Sequence, residues 1–479
     1  MFSMVYPSLL LMTSVFMAST SALANDTKDT EANRPPVFDM SSVDANVIAS
    51  QAPSSIEKTS DGYFSVGGFV QENLAYSYEA DYFSFSKVRT SLDLRVDMDF
   101  SEVVKGKAEV LTSYDFAYRL EGRDEFSKET LDVYESDTRL QEAYLDFDFA
   151  SWFNLRSGRQ YFTWGESEGS QIGDIGNPRD YREMGLQEIE DARLPVGANK
   201  ITFYGSDWEY NIISIHEFRA NEFGAKGSAY DPYISIRRAG GNIIDTNEPN
   251  SYLKNPEIIS RLFLSRSFGD VSFFAGEIYD DFPVFAIVNN SDTNSIDFLP
   301  EYFKYKRFGL FGNFVSGSML FKYDIAKSLD KPFNRSGINI FQQIESNQEN
   351  IFGSIKSDLL QCMIGFEYTG ISETLMSVEL YRESVENYVE ETFQDDDHST
   401  EASIYITRDF WNDRLLTTFW VNRLITESAT MFRVDATYQI SDQFEVSLAF
   451  TGINSSDQES YFFDYRKTDR AVLAMKYSF

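Results

Sequence analysis

Asp469-Arg-Ala-Val-Leu-Ala-Met-Lys-Tyr-Ser-Phe479 closes the chain, and Ala471, Leu473, Met475, Tyr477 and Phe479 are apolar at every second position. Arg470, Lys476 and Ser478 fall between them. A period of two places alternate side chains on opposite faces of a strand. Working back along the chain, Phe444, Val446, Leu448 and Phe450 alternate with Glu445, Ser447 and Thr451. Before the turn Ile440-Ser-Asp-Gln443, the residues Thr430, Phe432, Val434, Ala436 and Tyr438 alternate with Arg433, Asp435, Thr437 and Gln439. The fullest case is Val88–Phe100. There Val88, Thr90, Leu92, Leu94, Val96, Met98 and Phe100 face one way, and Arg89, Ser91, Asp93, Arg95, Asp97 and Asp99 the other. A face charged this heavily needs water, while its reverse meets lipid or a core.

The whole composition agrees. The 479 residues carry a formal charge of −33, yet 16% are aromatic, with 28 Tyr and 42 Phe. Mean hydropathy is −0.33. Polar on average, acidic and rich in aromatics describes a barrel with a wet lumen, an apolar outer band and aromatic girdles. Nucleic acid is excluded as a partner, because phosphates need a basic surface. Cys362 is the sole cysteine, so no disulfide forms within the chain. Residues 1–24 read as a secretory signal: Leu9–Met12 and Val15–Met17 supply the apolar core and Ala22-Leu-Ala24 the cleavage site. Residues 25–61, with Pro35, Pro36 and Pro53, read as a flexible periplasmic segment.

From residue 62 to 479 the alternation predicts eighteen strands, with sixteen as the neighbouring even count. They fall near 62–77, 85–101, 103–120, 138–149, 154–164, 197–206, 209–218, 257–268, 270–279, 303–315, 317–325, 356–369, 374–387, 399–408, 413–424, 429–440, 443–453 and 468–479. In the third of these, Phe116 and Tyr118 continue the outward row and Arg119 the inward one. Short turns, such as those at Ser101-Glu102 and Ser441-Asp442, alternate with longer acidic loops. This is the asymmetry of periplasmic turns and extracellular loops. The predicted fold is all-β, a transmembrane antiparallel β-barrel wide enough for an aqueous bore. The terminal aromatic strand resembles the closing strand of bacterial outer-membrane barrels. That resemblance implies that Tyr477 and Phe479 are the signal read by the barrel-assembly machinery.

Gly158-Arg-Gln160 leads to Trp164-Gly-Glu-Ser167, then to Asn177-Pro-Arg-Asp180 and to Arg193-Leu-Pro195. The pattern G-R-Q-x-x-x-W-G-E-S … N-P-x-D resembles an uncharacterised, porin-like family of large outer-membrane barrels described as a domain of unknown function. The resemblance implies work beside an inner-membrane exporter of the resistance-nodulation-division type. A weaker likeness, in size and strand count, is to alginate-export barrels. Physically, 165–196 is too long and too charged for an idle connection. Trp164-Gly165 marks a strand end, with the indole at the membrane interface and the glycine permitting a bend. A mixed-charge loop can fold into a wet lumen and pair with its wall, making a constriction with a transverse field. The candidate constriction residues are Glu166, Glu168, Asp174, Arg179, Asp180, Arg182, Glu183, Glu190, Asp191 and Arg193. The candidate lumen wall is Arg89, Asp93, Arg95, Asp97, Asp115, Arg119, Arg433 and Asp435.

The remaining excess of acid lies in loops, chiefly Glu121–Asp137 and Glu386–Asp397. Divalent cations bridging these loops to lipopolysaccharide are the expected ionic ligands; no cofactor and no metal site with a recognisable spacing is expected. His398 between Asp397 and Ser399 is the one set with the ingredients of a hydrolase, but sequence neighbours rarely build a triad. The expected function is a porin-like channel for small solutes, cation-preferring, and not an enzyme. The alternatives are a conduit for amphipathic or hydrophobic molecules, a barrel hydrolase and a structural surface barrel.

Overall fold

The computed structural model describes residues 64–78, 84–167, 169–170, 172–183, 192–238, 240–244, 248–249, 254–290, 295–335, 354–389, 396–457 and 460–479. The expected signal sequence, residues 1–24, and the expected flexible segment, residues 25–61, lie outside the described residues. Eighteen strands form one sheet: β1 (Phe64–Ser77), β2 (Ser84–Asp99), β3 (Val104–Asp115), β4 (Ser136–Ala150), β5 (Phe153–Gln160), β6 (Val196–Tyr204), β7 (Trp208–Ile215), β8 (Glu257–Arg266) and β9 (Gly269–Tyr279). They continue with β10 (Lys304–Ser316), β11 (Met319–Asn334), β12 (Ser354–Ile371), β13 (Thr374–Val385), β14 (His398–Phe410), β15 (Leu415–Leu424), β16 (Ala429–Ser441), β17 (Phe444–Ser455) and β18 (Arg470–Ser478). Each pairs antiparallel with its successor, and β18 pairs with β1 from Phe69↔Ser478 to Ser77↔Arg470. Phe479 completes the seam: its N–H donates to the Gly68 carbonyl and its carbonyl accepts from Gly68 N–H, both at 3.0 Å. Closure leaves no edge strand, so every backbone group in the wall finds a partner without water.

The alternation sorts the two faces as expected. Leu94, Phe273, Phe308, Ile325, Ile364, Val378, Leu380, Leu448 and Leu473 are exposed on the outer face. A continuous exposed apolar belt of this kind is stable only against lipid. Aromatic pairs bound it. Phe64–Phe100 at 6.3 Å and Trp411–Tyr438 at 6.0 Å lie at the short-turn rim, and Tyr76–Phe85 at 5.4 Å at the other. The short turns are locally encoded: Ser101 Oγ accepts from Val103 and Val104 N–H at 3.2 and 3.0 Å, and Ser441 Oγ accepts from Phe444 N–H at 3.2 Å. At Gly317 the backbone takes φ +64°, which a side chain would strain.

Two expected strands end early. The third stops at Asp115, whose carboxylate accepts from Val88 N–H at 2.9 Å and from Ala117 N–H at 3.1 Å. This turns the chain into a short helix, Ala117–Leu120. Phe116 still ends the outward row, its N–H donating to the Val88 carbonyl at 2.7 Å and its ring exposed beside Tyr114, but Tyr118 turns onto Phe126 and Tyr134 and Arg119 is not a wall residue. Its guanidinium lies over the Tyr114 ring at 5.2 Å. The fifth stops at Gln160, because Phe162 N–H donates to the Asn177 side chain at 2.7 Å instead of to a neighbouring strand. The acidic Glu121–Asp137 loop contains a helix, Lys128–Tyr134, capped by Ser127 Oγ accepting from Thr130 N–H at 3.1 Å. β11 is longer than its reading near 317–325, reaching Asn334.

Candidate functional site: a loop across the bore

The connection from β5 to β6 is held by the residues of the sequence motif. Asn177 clips it shut: besides accepting from Phe162, its Nδ2 donates to the Leu194 carbonyl at 2.8 Å. Leu194 N–H donates to the Pro178 carbonyl at 2.8 Å and Asp180 N–H to the Ala192 carbonyl at 2.7 Å. The N-P-x-D element is thus a brace for the base of the loop. Gly165 has φ +102°, and a Cβ there would meet Asp324 Oδ2 at 3.1 Å. The bend read from Trp164-Gly165 is present, but Trp164 is buried inside the barrel rather than standing at a membrane interface. Arg261 lies over its ring at 5.5 Å.

The first half of the loop docks on the inner wall of β6–β13. Phe162, Trp164 and Ile172 pack against inward-facing Val196, Ala198, Ile213, Ile259, Phe274, Phe311 and Met363. Burial of three side chains of this size contributes roughly 1.5–3 kcal/mol each. Polar contacts fix the register. Glu166 N–H donates to Asp324 Oδ1 at 3.2 Å, and its carboxylate accepts from Asn313 Nδ2 at 3.0 Å. Ser167 Oγ donates to Glu379 Oε2 at 2.9 Å, and Gly169 N–H reaches the same oxygen at 3.3 Å. Lys322 neutralises this end, 2.8 Å from Glu379 and 2.6 Å from Glu367.

The second half reaches the opposite wall. Asp174 is chelated within the loop by Arg179 at 2.5 Å and Arg193 at 2.7 Å. Asp180 pairs with Arg182 at 2.8 Å and with Arg139 of β4 at 2.9 Å, and Arg182 with Asp137 of β4 at 2.8 Å. Glu183 takes a forked pair from Arg89 of β2, at 2.9 and 3.1 Å, and a further bond from Lys87. In the closed ring, β11 stands opposite β2 and β13 opposite β4. The segment from Glu166 to Glu183 therefore crosses the bore from wall to wall.

Of the sequence candidates, Glu166, Asp174, Arg179, Asp180, Arg182, Glu183 and Arg193 come together on this segment. Glu168, Glu190 and Asp191 lie outside the described residues. On the wall, Arg89 and Asp115 meet at 3.4 Å, Arg433 and Asp435 at 2.9 Å, and Arg95 and Asp97 at 3.7 Å near the short-turn rim; Asp93 is buried. Arg159 stands on the outward row at the end of β5 and pairs with Glu217. The sequence reading missed Asn313, Asp324 and Glu379, which anchor one end, and Lys87, Asp137 and Arg139, which anchor the other. All six occupy inward positions of strands whose alternation is plain. The same parity rule applied to β2, β4, β10, β11 and β13 would have found them.

A second inward loop was not foreseen. After β7, Tyr230 packs with Tyr465 against Ile453 on the inner face of β17, under Arg470 of β18 at 4.9 Å. His398 Nδ1 lies 2.5 Å from Asp397 Oδ1 on an exposed rim, and among the described residues Ser399 makes no hydrogen bond to it. No group of three or more potential metal ligands occurs among the described residues.

The two anchors respond to pH in opposite senses. Burial alone would raise the Glu183 carboxyl, but Arg89 and Lys87 outweigh it and hold the group well below its ordinary 4.5. Its stabilising contribution is complete above that value and fades as pH falls below it. Burial raises Glu166, assisted by Asp270 and Glu367 and opposed by Asn313 and Lys322. Its docked form favours the proton, so its contribution is complete below 4.5 and is lost as pH rises through the docked value. Acidification from pH 7 to 3 is expected to lower the amide-exchange protection factors, taken relative to the intrinsic rate at each pH, around Arg182–Glu183 and to raise them around Glu166–Ser167. Parallel changes at both ends would reject this linkage.

Comparison with the curated proteins finds no match. Among solved structures, Acinetobacter baumannii OccAB3 is similar at 8% identity, covering 87% of this chain and 99% of its own, with a TM-score of 0.49. Pseudomonas aeruginosa OccK8 (OprE) is similar at 9% identity, covering 88% and 99%, with a TM-score of 0.48. Salmonella typhi OmpF, in complex with daunomycin, is similar at 10% identity, covering 87% and 97%, with a TM-score of 0.43. At these scores the likeness carries no functional argument, and the architecture rests on the closure of the sheet. The model of the DUF1302 family, a protein of unknown function, matches residues 7–479, far beyond the forty-residue motif, and this porin-like eighteen-strand β-barrel of outer-membrane type belongs to that family.

Proposed function

We propose that the barrel is an outer-membrane channel for small polar solutes, cation-preferring, constricted by the segment 165–196. One observation carries the proposal: Glu166–Glu183 spans the bore and is tied by charged hydrogen bonds to both walls. A tethered loop narrows the lumen without closing the sheet. The short turns would face the periplasm and the long loops the exterior. Solutes would pass between the segment and the remaining wall, where Arg433 and Asp435 line the way. Glu168, Glu190 and Asp191 belong to the same proposed constriction. Tyr477 and Phe479, both exposed on the outer face, are available for recognition by an assembly machinery.

The apolar cluster inside the barrel bears on the alternative of a hydrophobic conduit. Most of its side chains are packed with Phe162, Trp164 and Ile172, and only Ile278 and Tyr305, with Ile175 beside them, line the open cavity above the segment. The cluster serves to seat the loop, which favours the aqueous reading. The exposed His398–Asp397 pair, with no nucleophile bonded to it, gives a hydrolase no support.

The charge of −33 concentrates cations at the mouth and repels anions. Reversal potentials in planar bilayers under a KCl gradient are expected to show clear cation preference in dilute salt. The preference should fade as the Debye length shrinks to about 10 Å at 0.1 M and about 3 Å at 1 M. An anion-selective channel, or a protein that forms none, would overturn the proposal.

A further inference from the structure

A cavity of about 410 Å³ lies on the long-loop side of the infolded segment, with Asp174 and Ile175 beneath and the upper ends of β9–β13 around it. Most of its charges are already matched. Asp174 holds Arg179, and Asp280 holds Lys331. Among the cations of the lining Arg307 is the exception, while Glu383 accepts from the neutral Gln361 and Tyr381 side chains. Arg307 is 7% exposed, and its two terminal nitrogens donate to neutral oxygens, Ser328 Oγ at 3.1 Å and the Ile172 carbonyl at 2.8 Å. Among the described residues no carboxylate pairs with it, and its Nε–H meets no acceptor. A buried guanidinium without a counter-ion is costly, and a guest anion relieves that cost.

Other features of the lining fit an organic guest. Gln361 commits its Nε2 to the Tyr381 hydroxyl at 2.7 Å and to Glu383 at 3.0 Å, leaving Oε1 buried without a donor. Tyr305, Phe333 and Ile175 supply apolar wall. Burial, with Glu257 and Asp280 nearby, pushes the Asp281 carboxyl well above the usual range, which weakens its repulsion of an anion. The volume falls within the roughly 300–1,000 Å³ of small-molecule sites.

We propose that this vestibule binds a small organic carboxylate with an apolar or aromatic body. The carboxylate takes the free Nε–H and a second N–H of Arg307 as a forked pair. The body lies against Tyr305 and Phe333, and a polar N–H or O–H on the guest can reach Gln361 Oε1. Net cation preference at the mouth and one anion subsite inside it are compatible, because the second depends on a local unmatched charge.

Benzoate, benzamide and inorganic phosphate are titrated calorimetrically into the full chain folded in detergent. Benzoate is expected to bind, with benzamide and phosphate at least tenfold weaker. Arg307→Gln should weaken benzoate at least tenfold, and Phe333→Ala severalfold. Arg307→Lys keeps the charge but not the fork and should also lose most of the binding. Arg414→Gln, in a short turn, should bind as the wild type does. Heat-modifiable migration reports whether each variant keeps its barrel. Wild-type affinity in both Arg307 variants, equal binding of benzamide, equal binding of phosphate, or no binding of benzoate would each overturn the assignment. No ion gradient is involved, so this result stands apart from the selectivity measurement.

Discussion

Excision of Glu166–Glu183 is expected to raise single-channel conductance severalfold and to abolish most of the cation preference. The segment occupies the bore between opposite walls, so its removal widens the narrowest cross-section. It also removes five carboxylates, Glu166, Glu168, Asp174, Asp180 and Glu183, against two guanidinium groups, Arg179 and Arg182. The wall loses partners at the same time: Lys87 and Arg89 no longer meet Glu183, and Arg139 no longer meets Asp180, while Arg89 keeps Asp115 and Arg139 keeps Asp137 and Glu222. Both changes move selectivity toward anions. The barrel itself should survive, since its eighteen-strand hydrogen-bonded closure does not include the segment. Unchanged conductance in a variant that still migrates as folded protein would mean that the segment does not limit flow.

Leu94→Arg is expected to destabilise the barrel by about 2–4 kcal/mol in lipid, the cost of a guanidinium near the bilayer midplane. Leu94 is exposed on the outer face of β2, between the rim pairs Phe64–Phe100 and Tyr76–Phe85. Asp97→Asn on the same strand should cost much less. That carboxylate faces the lumen, is exposed, and meets Arg95 only at 3.7 Å, so water replaces what is lost. Denaturant titrations in vesicles compare the two. Equal costs would mean that the inner and outer faces have been exchanged.

The wall of this protein was legible residue by residue. In Leu92–Phe100 a charge and an apolar group alternate without interruption, and a sheet with water on one side and lipid or a core on the other accepts both. The rule failed where a side chain captured the backbone. Asp115 and Asn177 each take a backbone N–H that the ladder would have used, and the strands end there although the apolar alternation runs on. The length and mixed charge of the loop made an inward fold one reading, with Arg89 among its candidate partners, but did not decide it against a loop lying over the rim. The rest of the anchor set was not. Glu166 touches Asn313 and Ser167 touches Glu379, pairs separated by well over a hundred residues that nothing local connects.

The sequence by itself determined the fold class, the strand number to within one neighbouring even count, the face of most wall side chains and which connections are short and which long. Those follow from a local period of two repeated along the chain. Only the tertiary structure decided which inward residues meet. Closing eighteen strands sets β11 opposite β2 and β13 opposite β4, and the length of one loop must then span that distance. Closure also gathers Phe162, Trp164 and Ile172 with apolar side chains from eight strands, a cluster that in sequence is scattered and reads as part of separate strands. It leaves Arg307 without a counter-ion for the same reason: whether a charge is matched depends on neighbours in space, and the linear pattern specifies only its side of the wall.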